Sequence, residues 1–347
     1  MKIAINGFGR IGRTFFRAAF AENLEIVAIN DLGDLKTLAH LLKYDSNYGK
    51  FESEIVVQND SLQIGNKTIK MLSEKDPANL PWKDLGVDLV IESTGVFTTY
   101  DSASKHITAG AKNVIVTAPC KGAPTQGSES RHEVVGKEKI KTIVLGINEE
   151  EFDPANKVIS MASCTTNALA PVADVLHKNF KILKSTMTTI HSYTMDQRLQ
   201  DDAHKDLRRA RAAALSIIPT TTGATVAATE VLPDLKDKMD GISYRVPTAT
   251  VSLLEFVALL EKNTTKEEIN EAFKKSASDP KYQEAIDVSA EPLVSTDFKG
   301  NPHGAIVDLL STQVVDGNLV RVVAWYDNEM GYSYRLVKFC QYINNKK

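Results

Sequence analysis

The residues best suited to chemistry surround a cysteine near the middle of the chain. Cys164 lies in the segment Ser163–Asn167, and the apolar spacing of residues 168–179 predicts a helix directly after it. A cysteine at a helix start meets the positive end of the helix dipole, which favours the thiolate. Most free cysteines are inert core residues, but Cys164 has hydroxyl and amide neighbours. We therefore predict that Cys164 is a covalent nucleophile.

A thiolate nucleophile needs a base, and His191 ends a β-rich run at residues 185–190. Spacing alone does not pair it with Cys164, because the chain has seven histidines. Basic and hydroxyl residues follow at Arg208, Arg209, Arg211, Thr220–Gly223 and Arg245. Their types fit either a solvated face or anion sites for a phosphorylated substrate, and both interpretations stay open at this point.

A second candidate site is the glycine-rich segment Gly7–Gly12, which reads GxGxxG between a strand pattern at residues 2–6 and a helix pattern at 11–20. In such turns glycines allow a tight turn, the approach of a pyrophosphate and close helix packing. Asp31, 19 residues after Gly12, stands where a carboxylate accepts hydrogen bonds from the adenosine ribose. The pattern predicts NAD rather than NADP; the alternative is a turn with no ligand.

The first half of the chain, which contains the glycine-rich segment and Asp31, alternates strand and helix patterns. Strands are predicted at 2–6, 25–30, 87–91, 113–117 and 142–147, and helices at 11–20 and 35–43. This alternation is typical of an α/β fold with a Rossmann-type, doubly wound parallel sheet.

Longer strand patterns dominate after residue 164, at 182–193, 242–257, 306–312 and 319–326, with a helix at 266–276. They predict an α+β catalytic domain with a largely antiparallel sheet. A final helix is expected at 333–343, with Ser333 as its N-cap. We expect residues 1–163 to form an NAD-binding domain, with helix 333–347 packing back on it, and 164–332 to form the catalytic domain.

Composition excludes several classes of protein. The 347 residues carry a net charge of −3, which gives no general attraction to nucleic acid or to an anionic membrane. No apolar run approaches the roughly 20 residues that span a bilayer. Three widely spaced cysteines predict a reduced, cytoplasmic protein rather than a disulfide framework. No Cys/His cluster has zinc-ligand spacing, so no metal is expected.

Nine sequence blocks extend this picture between residues 5 and 333. They are INGFGRIGR, AINDL, IESTGVF, ASCTTN, IHSYT followed by DQ, HKDLRRARAAA, IIPTTTGA, YRVPT and WYDNEMGYS. Along nearly its whole length the chain resembles the phosphorylating glyceraldehyde-3-phosphate dehydrogenases. The resemblance implies NAD-dependent conversion of glyceraldehyde 3-phosphate and inorganic phosphate to 1,3-bisphosphoglycerate by a cytoplasmic homotetramer.

The resemblance also assigns roles to individual residues. Cys164 would attack the aldehyde to give a thiohemiacetal, and hydride transfer would leave a thioester that phosphate cleaves. His191 would hold the thiolate as an ion pair and take the hydroxyl proton. Thr194 and Arg245 match the site for the substrate's C3 phosphate. The residues that match the site for the attacking phosphate are Ser163, Thr165, Thr222 and Gly223, with Arg209 nearby.

Cofactor positions carry over in the same way. Asn328 matches the residue that orients the nicotinamide amide, with Tyr332 nearby, and Lys75 lies near the adenine. The other positions matched to the cofactor site are Gly9, Arg10, Ile11, Asp31, Thr94, Gly95 and Thr117.

Two other functions compete with this interpretation. Erythrose-4-phosphate dehydrogenases share the Cys/His pair but generally lack the threonine and Thr-Gly that this chain keeps at Thr194 and Thr222–Gly223. A non-catalytic redox sensor would use Cys164 as a switch, against which the intact phosphate-site residues argue.

The chain departs from the family pattern at four places. Ala168 replaces a second cysteine, and Lys75 replaces the usual arginine. Asp202 and Ala203 stand where many strictly NAD-dependent members have Leu-Pro, so residual NADP use stays open. Residues 121–141 form an additional polar segment, either a tolerated surface insertion or a lid near the cofactor.

Overall fold

The computed structural model describes residues 1–120, 140–282 and 284–346. These residues form two compact units. The first unit contains the described residues of Met1–Ile143, Glu150–Ala162 and the chain from Leu336 onward, and the second contains those of Val144–Glu149 and Ser163–Arg335.

The first unit alternates strands and helices through most of its length. Its strands are β1 (Lys2–Asn6), β2 (Glu25–Asn30), β3 (Tyr44–Asp45), β4 (Gly49–Lys50), β5 (Ile55–Gln58), β6 (Ser61–Ile64), β7 (Lys67–Leu72), β8 (Leu89–Glu92), β9 (Asn113–Val116), β10 (Lys141–Thr142) and β11 (Val158–Ser160). Its helices are α1 (Arg10–Ala21), α2 (Leu35–Lys43), α3 (Trp82–Leu85), α4 (Tyr100–Ala103) and α5 (Lys105–Thr108).

The main sheet of this unit has the order β10-β11-β9-β8-β1-β2-β7-β6-β5. Neighbours pair in parallel from β10 to β7, and β5 and β6 add an antiparallel edge. β1 occupies the middle. Its residues Ile3 and Ile5 on one face and Ala4 on the other are fully buried, as expected for a parallel strand covered on both faces. The carboxyl ends of β1, β2 and β8 therefore meet at one edge of the sheet.

The second unit contains the longer strands. Its strands are β12 (Ile182–Ser192), β13 (Ile218–Thr220), β14 (Met239–Val246), β15 (Ser252–Leu260), β16 (Ile286–Ser289), β17 (Ala305–Asp308), β18 (Gln313–Val315) and β19 (Leu319–Tyr326). Its helices are α6 (Cys164–Phe180), α7 (Ala224–Val231), α8 (Lys266–Ala277) and the start of α9 (Met330–Asn345).

The sheet of the second unit has the order β13-β14-β12-β15-β19-β17-β16, with β18 on β19. Most neighbours are antiparallel, and only β12 with β14 and β16 with β17 run parallel. Leu169, Val172 and Leu176 of α6 share a buried core with Phe256 and Val322 of the sheet. The predicted fold class, a Rossmann-type parallel sheet plus an α+β part with a largely antiparallel sheet, is confirmed.

Three predicted strands have the wrong extent. The strand predicted at 306–312 is β17, which ends at Asp308. Residues 242–257 form parts of two strands, β14 and β15, because the chain reverses between them through Pro247 and through Val251, whose φ is +68°. The strand predicted at 142–147 is only β10, because the chain turns at Gly146, where φ is +83°. The additional segment 121–141 lies outside the described residues except for Ile140 and Lys141.

The last helix begins earlier than predicted. One carboxylate oxygen of Asp327 accepts hydrogen bonds from the backbone N–H groups of Glu329 and Met330, both at 3.0 Å, and this caps α9. Ser333, the predicted N-cap, is instead a buried residue inside the helix. From Leu336 onward the helix belongs to the first unit, where Gln341 donates a hydrogen bond to Glu22 at 3.0 Å.

Neither membrane spans nor metal clusters are found in the described part of the chain. None of its helices combines the length and apolar character needed to cross a bilayer. Its Cys, His, Asp and Glu side chains nowhere gather in a group of three or more that could hold a metal ion.

Candidate active site

Cys164 is the first residue of α6, and its position follows from a cap. Ser163 is the N-cap, in an extended conformation, and its Oγ accepts the Thr166 N–H at 3.1 Å. The first N–H groups of a helix have no partner within the helix, so they and the helix dipole face whatever binds at Cys164. The sequence placed the cysteine just before the helix; the structure places it in the first turn.

His191 lies at the C-terminal end of β12, with Nε2 3.5 Å from Cys164 Sγ. Its Nδ1 lies 2.7 Å from Ser192 O and 3.0 Å from Arg245 Nη1. The two hydrogens of Nη1 are directed to Ser192 O at 3.2 Å and Thr194 Oγ1 at 2.9 Å. We therefore assign the ring hydrogen to Nδ1, which donates to Ser192 O, so the lone pair of Nε2 faces the cysteine.

Burial dominates the protonation of this pair. It raises the pKa of the Cys164 thiol, against smaller lowering effects of Arg245 and Thr165. Burial, together with the smaller effect of the nearby positive charge of Arg245, lowers the pKa of His191 to about 3. Because the thiol and the imidazole interact closely, each group's protonation state changes the pKa of the other, and the two titrate as a pair. The helix start, which by itself favours the thiolate, is thus opposed by burial, and proton transfer to Nε2 becomes essential.

Tyr326 holds the surroundings of the pair together. Its hydroxyl lies 2.9 Å from Thr165 Oγ1 and 2.8 Å from Thr189 Oγ1, so it joins α6 to β12. Its ring meets the His191 ring edge to face, with centroids 6.0 Å apart. Sequence reasoning did not single out Tyr326; the signal was its place at the end of a strand within the block WYDNEMGYS.

The residues matched to the two phosphate sites make hydrogen bonds in three places. Arg245 donates to Thr194 Oγ1, so these two are brought together beside His191. Arg209 donates through Nε to Thr220 Oγ1 at 2.8 Å. Thr222 and Gly223 lie at the start of α7, where Thr222 Oγ1 accepts the Ala224 N–H at 3.2 Å.

Asp196 connects these groups, although sequence reasoning assigned it no role. One of its carboxylate oxygens accepts the Thr194 hydroxyl hydrogen, and the other accepts a hydrogen from Arg209 Nη1. Asp196 belongs to the sequence block that contains Thr194. Its pairing with Thr194 and Arg209, however, depends on the conformation of a loop without regular structure, which sequence patterns do not predict.

Asn328 is also linked by hydrogen bonds to β12, the strand that carries His191. Its Oδ1 accepts a hydrogen bond from Ser252 Oγ at 3.0 Å, and Ser252 Oγ accepts the Ser192 N–H at 3.1 Å. Tyr332, the other residue matched to the nicotinamide, is buried in α9.

The glycine-rich turn of the first unit fits a dinucleotide. A Cβ on Gly7, whose φ is +91°, would lie 2.6 Å from Thr94 N, and one on Gly12 would lie 2.1 Å from Gly7 O. A Cβ on Gly9 would meet nothing within 4 Å, so the backbone there faces open space. Gly9 is also the N-cap of α1, so no side chain caps this helix start. Its first backbone N–H groups are therefore available to bind an anion such as a pyrophosphate.

The other cofactor candidates of this unit surround the same turn or lie near it. Asp31 accepts hydrogen bonds from Phe8 N at 2.6 Å and Gly33 N at 2.8 Å, so its carboxylate lies against the turn. The guanidinium of Arg10 pairs with Asp45 at 2.6 Å, and the neighbouring Ile11 is partly buried. The remaining candidates are Lys75 and Gly95, which are exposed, and Thr117, which is partly buried after β9.

A buried polar network positions Thr94. Both the N–H and the hydroxyl of Thr94 donate to Glu92 Oε1, while Glu92 Oε2 accepts from Asn6 Nδ2 at 2.6 Å and lies 3.0 Å from His106 Nε2. Trp82 Nε1 donates to His106 Nδ1 at 2.9 Å, so the His106 hydrogen is on Nε2 and donates to Glu92. The carboxylate is buried yet fully hydrogen-bonded.

Comparison with known proteins agrees with this geometry. Residues 1–100 match the family model "Glyceraldehyde 3-phosphate dehydrogenase, NAD binding domain", and residues 163–328 match the model of the C-terminal domain. The chain belongs to the glyceraldehyde 3-phosphate dehydrogenase family. It is 52% identical over 348 residues to the glyceraldehyde-3-phosphate dehydrogenase of Geobacillus stearothermophilus, covering 100% of this chain and 99% of the relative.

Two further relatives have the same extent of similarity. The glyceraldehyde-3-phosphate dehydrogenases of Priestia megaterium and Streptomyces coelicolor are 51% and 49% identical, each over 100% of this chain and 99% of its own length. The predicted glyceraldehyde 3-phosphate dehydrogenase family membership, the dehydrogenase class and the NAD cofactor are confirmed.

We expect the base contact to control thiol reactivity. Replacing His191→Asn removes the proton acceptor at Nε2, so the rate of Cys164 alkylation by iodoacetamide at pH 7 should fall about tenfold or more, and the pH midpoint of alkylation should move upward. The measurement is the alkylation rate against pH, followed at Cys164 by peptide mass spectrometry. His303→Asn, a partly exposed histidine of the same unit, is the control. An unchanged profile in His191→Asn would show that the 3.5 Å contact does not influence the thiol.

We expect the Glu92 network to set the affinity for NAD. Glu92→Gln places an amide N–H₂ against the donors of Asn6 and His106, so Thr94 should lose its fixed position and the Kd of NAD should rise about tenfold. Titration calorimetry measures the Kd, and circular dichroism confirms folding. Glu25→Gln, at an exposed position on β2, should leave the Kd unchanged. Equal affinities in all three proteins would exclude this role of Glu92.

Proposed function

We propose that the protein catalyses the NAD-dependent oxidation of glyceraldehyde 3-phosphate, with inorganic phosphate, to 1,3-bisphosphoglycerate. The observation that carries the proposal is the arrangement of Cys164 at a helix start, His191 Nε2 at 3.5 Å and Arg245 beside both. It supplies a nucleophile, a base and a fixed positive charge for an anionic substrate. The family match supplies the substrate class.

The first step is addition of the thiol to the aldehyde. Cys164 Sγ bonds to the carbonyl carbon while His191 Nε2 takes the thiol proton, and the carbonyl oxygen becomes an oxyanion. The backbone N–H of Cys164, at the start of α6, and the protonated His191 ring stabilise that oxyanion. Transfer of the proton from Nε2 to the oxygen completes a thiohemiacetal.

Oxidation follows at the same carbon. His191 Nε2 takes the hydroxyl proton as the C=O bond reforms, and the hydrogen on carbon leaves as hydride. NAD, when bound, is the acceptor of that hydride. A phosphate oxygen then attacks the resulting thioester, the C–S bond breaks, the Cys164 thiolate leaves, and the acyl phosphate is released.

Two phosphate groups need two sets of ligands. We assign the C3 phosphate to Arg245 and Thr194, which are in contact beside His191. We assign inorganic phosphate to the start of α6 and the start of α7, because each helix start offers backbone N–H groups and has hydroxyl residues beside it. The residues of this second set are Ser163, Thr165, Thr222, Gly223 and Arg209.

We assign the cofactor chiefly to the first unit and a nicotinamide-orienting role to Asn328 and Tyr332. Residues 1–163, with the helix from 333 to 347, would form the NAD-binding domain, and 164–332 the catalytic domain. The negative charge of Asp31 repels the 2′-phosphate of NADP and so favours NAD. Asp202 and Ala203 provide less bulk than the Leu-Pro of many strictly NAD-dependent members, so they exclude NADP less by size. The first-unit cofactor residues are Gly9, Arg10, Ile11, Asp31, Lys75, Thr94, Gly95 and Thr117.

We further propose that the protein is a cytoplasmic homotetramer. Support comes from large apolar side chains that are exposed on one segment of the single chain, residues 195–217. Four of them are at least 70% exposed and a fifth is 85% exposed, and such concentration marks an interaction surface. They are Leu199, Leu207, Leu215 and Ile217, with Met195 as the most exposed.

The assay is NADH formation from glyceraldehyde 3-phosphate, phosphate and NAD. Cys164→Ser should lower kcat/KM about a thousandfold or more, because serine is a far weaker nucleophile at this site. Cys340→Ser, at a buried cysteine of the first unit, should retain activity and is the control. Faster turnover of erythrose 4-phosphate would favour the erythrose-4-phosphate dehydrogenase alternative. Absence of turnover with either aldehyde would favour the redox sensor.

A further inference from the structure

We propose that Asp196 is a positioning residue that occupies one ligand of each phosphate site, the Thr194 hydroxyl and the Arg209 guanidinium, and must give them up when phosphate binds. The proposal rests on the proposed function, since it uses the assignment of Thr194, Arg245 and Arg209 to phosphate groups. It concerns how tightly the site holds anions.

The contacts of Asp196 span the two sets of phosphate ligands. One oxygen accepts the hydroxyl hydrogen of Thr194, and the other accepts a hydrogen of Arg209 Nη1. Arg245 donates to Thr194 Oγ1 at 2.9 Å, and Arg209 Nε donates to Thr220 Oγ1 at 2.8 Å. The five side chains therefore form one continuous chain with the carboxylate at its centre.

Asp196 and a bound phosphate compete for the hydroxyl hydrogen of Thr194. A threonine hydroxyl carries a single hydrogen, and here that hydrogen is given to Asp196 while the oxygen accepts from Arg245. A phosphate oxygen at neutral pH is an acceptor, so it needs the same hydrogen. Thr194 can donate to a phosphate only after it leaves Asp196.

Charge acts in the same direction. Burial alone would raise the pKa of Asp196, but the hydrogen bond from Thr194 and the charges of Arg245 and Arg209 hold it below its usual value. The carboxylate is therefore ionised at neutral pH. Its side chain is 40% exposed, so solvent and salt weaken its repulsion of a phosphate without removing it.

The consequence is a site that binds phosphate groups less tightly than its two arginines would allow. The product carries a phosphate for each site, so moderate affinity for both favours its release. Asp196 also keeps Arg209 and Thr194 in place between turnovers, which spares the cost of ordering them for each phosphate.

The test uses inorganic sulfate and inorganic phosphate as probes on the full-length protein. Asp196→Asn keeps the shape and an oxygen for Thr194 but removes the charge, and Asp196→Ala removes both. We expect both variants to lower the inhibition constant of sulfate and the KM of phosphate about three- to tenfold at low ionic strength, with a smaller effect at ~0.2 M KCl. We expect kcat to fall, because product release slows.

Asp201→Asn is the matched control, because Asp201 belongs to the same loop and pairs with Arg211 instead. It removes the same charge and should leave both constants unchanged. A gain of affinity for anions cannot come from a damaged site, so this readout separates the proposal from a merely structural role. Weaker or unchanged anion binding in both Asp196 variants would overturn it.

Arg209→Gln distinguishes failure of this inference from failure of the proposed function. If Arg209→Gln does not weaken phosphate binding, the assignment of Arg209 to phosphate is wrong and the inference falls with it. If Arg209→Gln weakens binding but neither Asp196 variant tightens it, the phosphate site stands and only the role of Asp196 is overturned.

Discussion

The contact between Cys164 Sγ and His191 Nε2 joins the first residue of α6 to the end of β12, and the chemistry depends on its 3.5 Å length. Several independent interactions maintain it. The apolar face of α6 is buried against the sheet, and the Tyr326 hydroxyl connects Thr165 on the helix to Thr189 on the strand. A shift of either element by an ångström would separate the nucleophile from its base.

A buried arginine also fixes the start of α6. Arg335 donates to Asn167 Oδ1 at 2.9 Å and to the carbonyl oxygens of Glu284 and Leu145. Asn167 in turn donates through Nδ2 to Ser163 O at 3.0 Å, beside the nucleophile. The start of α6 is thus held by specific hydrogen bonds as well as by packing, and loops that are distant in sequence contribute to the position of Cys164.

Burial has opposite effects on the two members of the pair and favours their neutral forms. Arg245 lowers the pKa of both, so it stabilises a thiolate and destabilises an imidazolium. Its net effect on a thiolate–imidazolium pair is therefore small, whereas its attraction for the substrate's phosphate is not offset in this way. The sign of the His191 shift has a consequence for stability: between the ordinary pKa of about 6.5 and the folded value of about 3, acid should destabilise the fold, because only the unfolded state binds the proton.

Sequence patterns predicted most of the regular structure but little of the side-chain pairing. The bounds of β1, β2, α2 and β19 are confirmed, because uninterrupted apolar periodicity and clear caps define them. The start of α9 was wrong because Asp327, not Ser333, supplies the cap. Strands β5, β6 and β7 were not predicted at all. Asp196 and Glu92 escaped notice because their roles depend on contacts between segments, which neither periodicity nor motif spacing encodes.

Oxidation of the aldehyde through a thioester on Cys164 can be tested directly. The most direct measurement mixes the protein with glyceraldehyde 3-phosphate and NAD in the absence of phosphate, and follows NADH by stopped flow and the protein by intact-mass spectrometry. We expect a burst of about one NADH per chain and an acyl adduct that maps to Cys164 and disappears when phosphate is added. Steady NADH formation without a burst, or an adduct on any other residue, would contradict it.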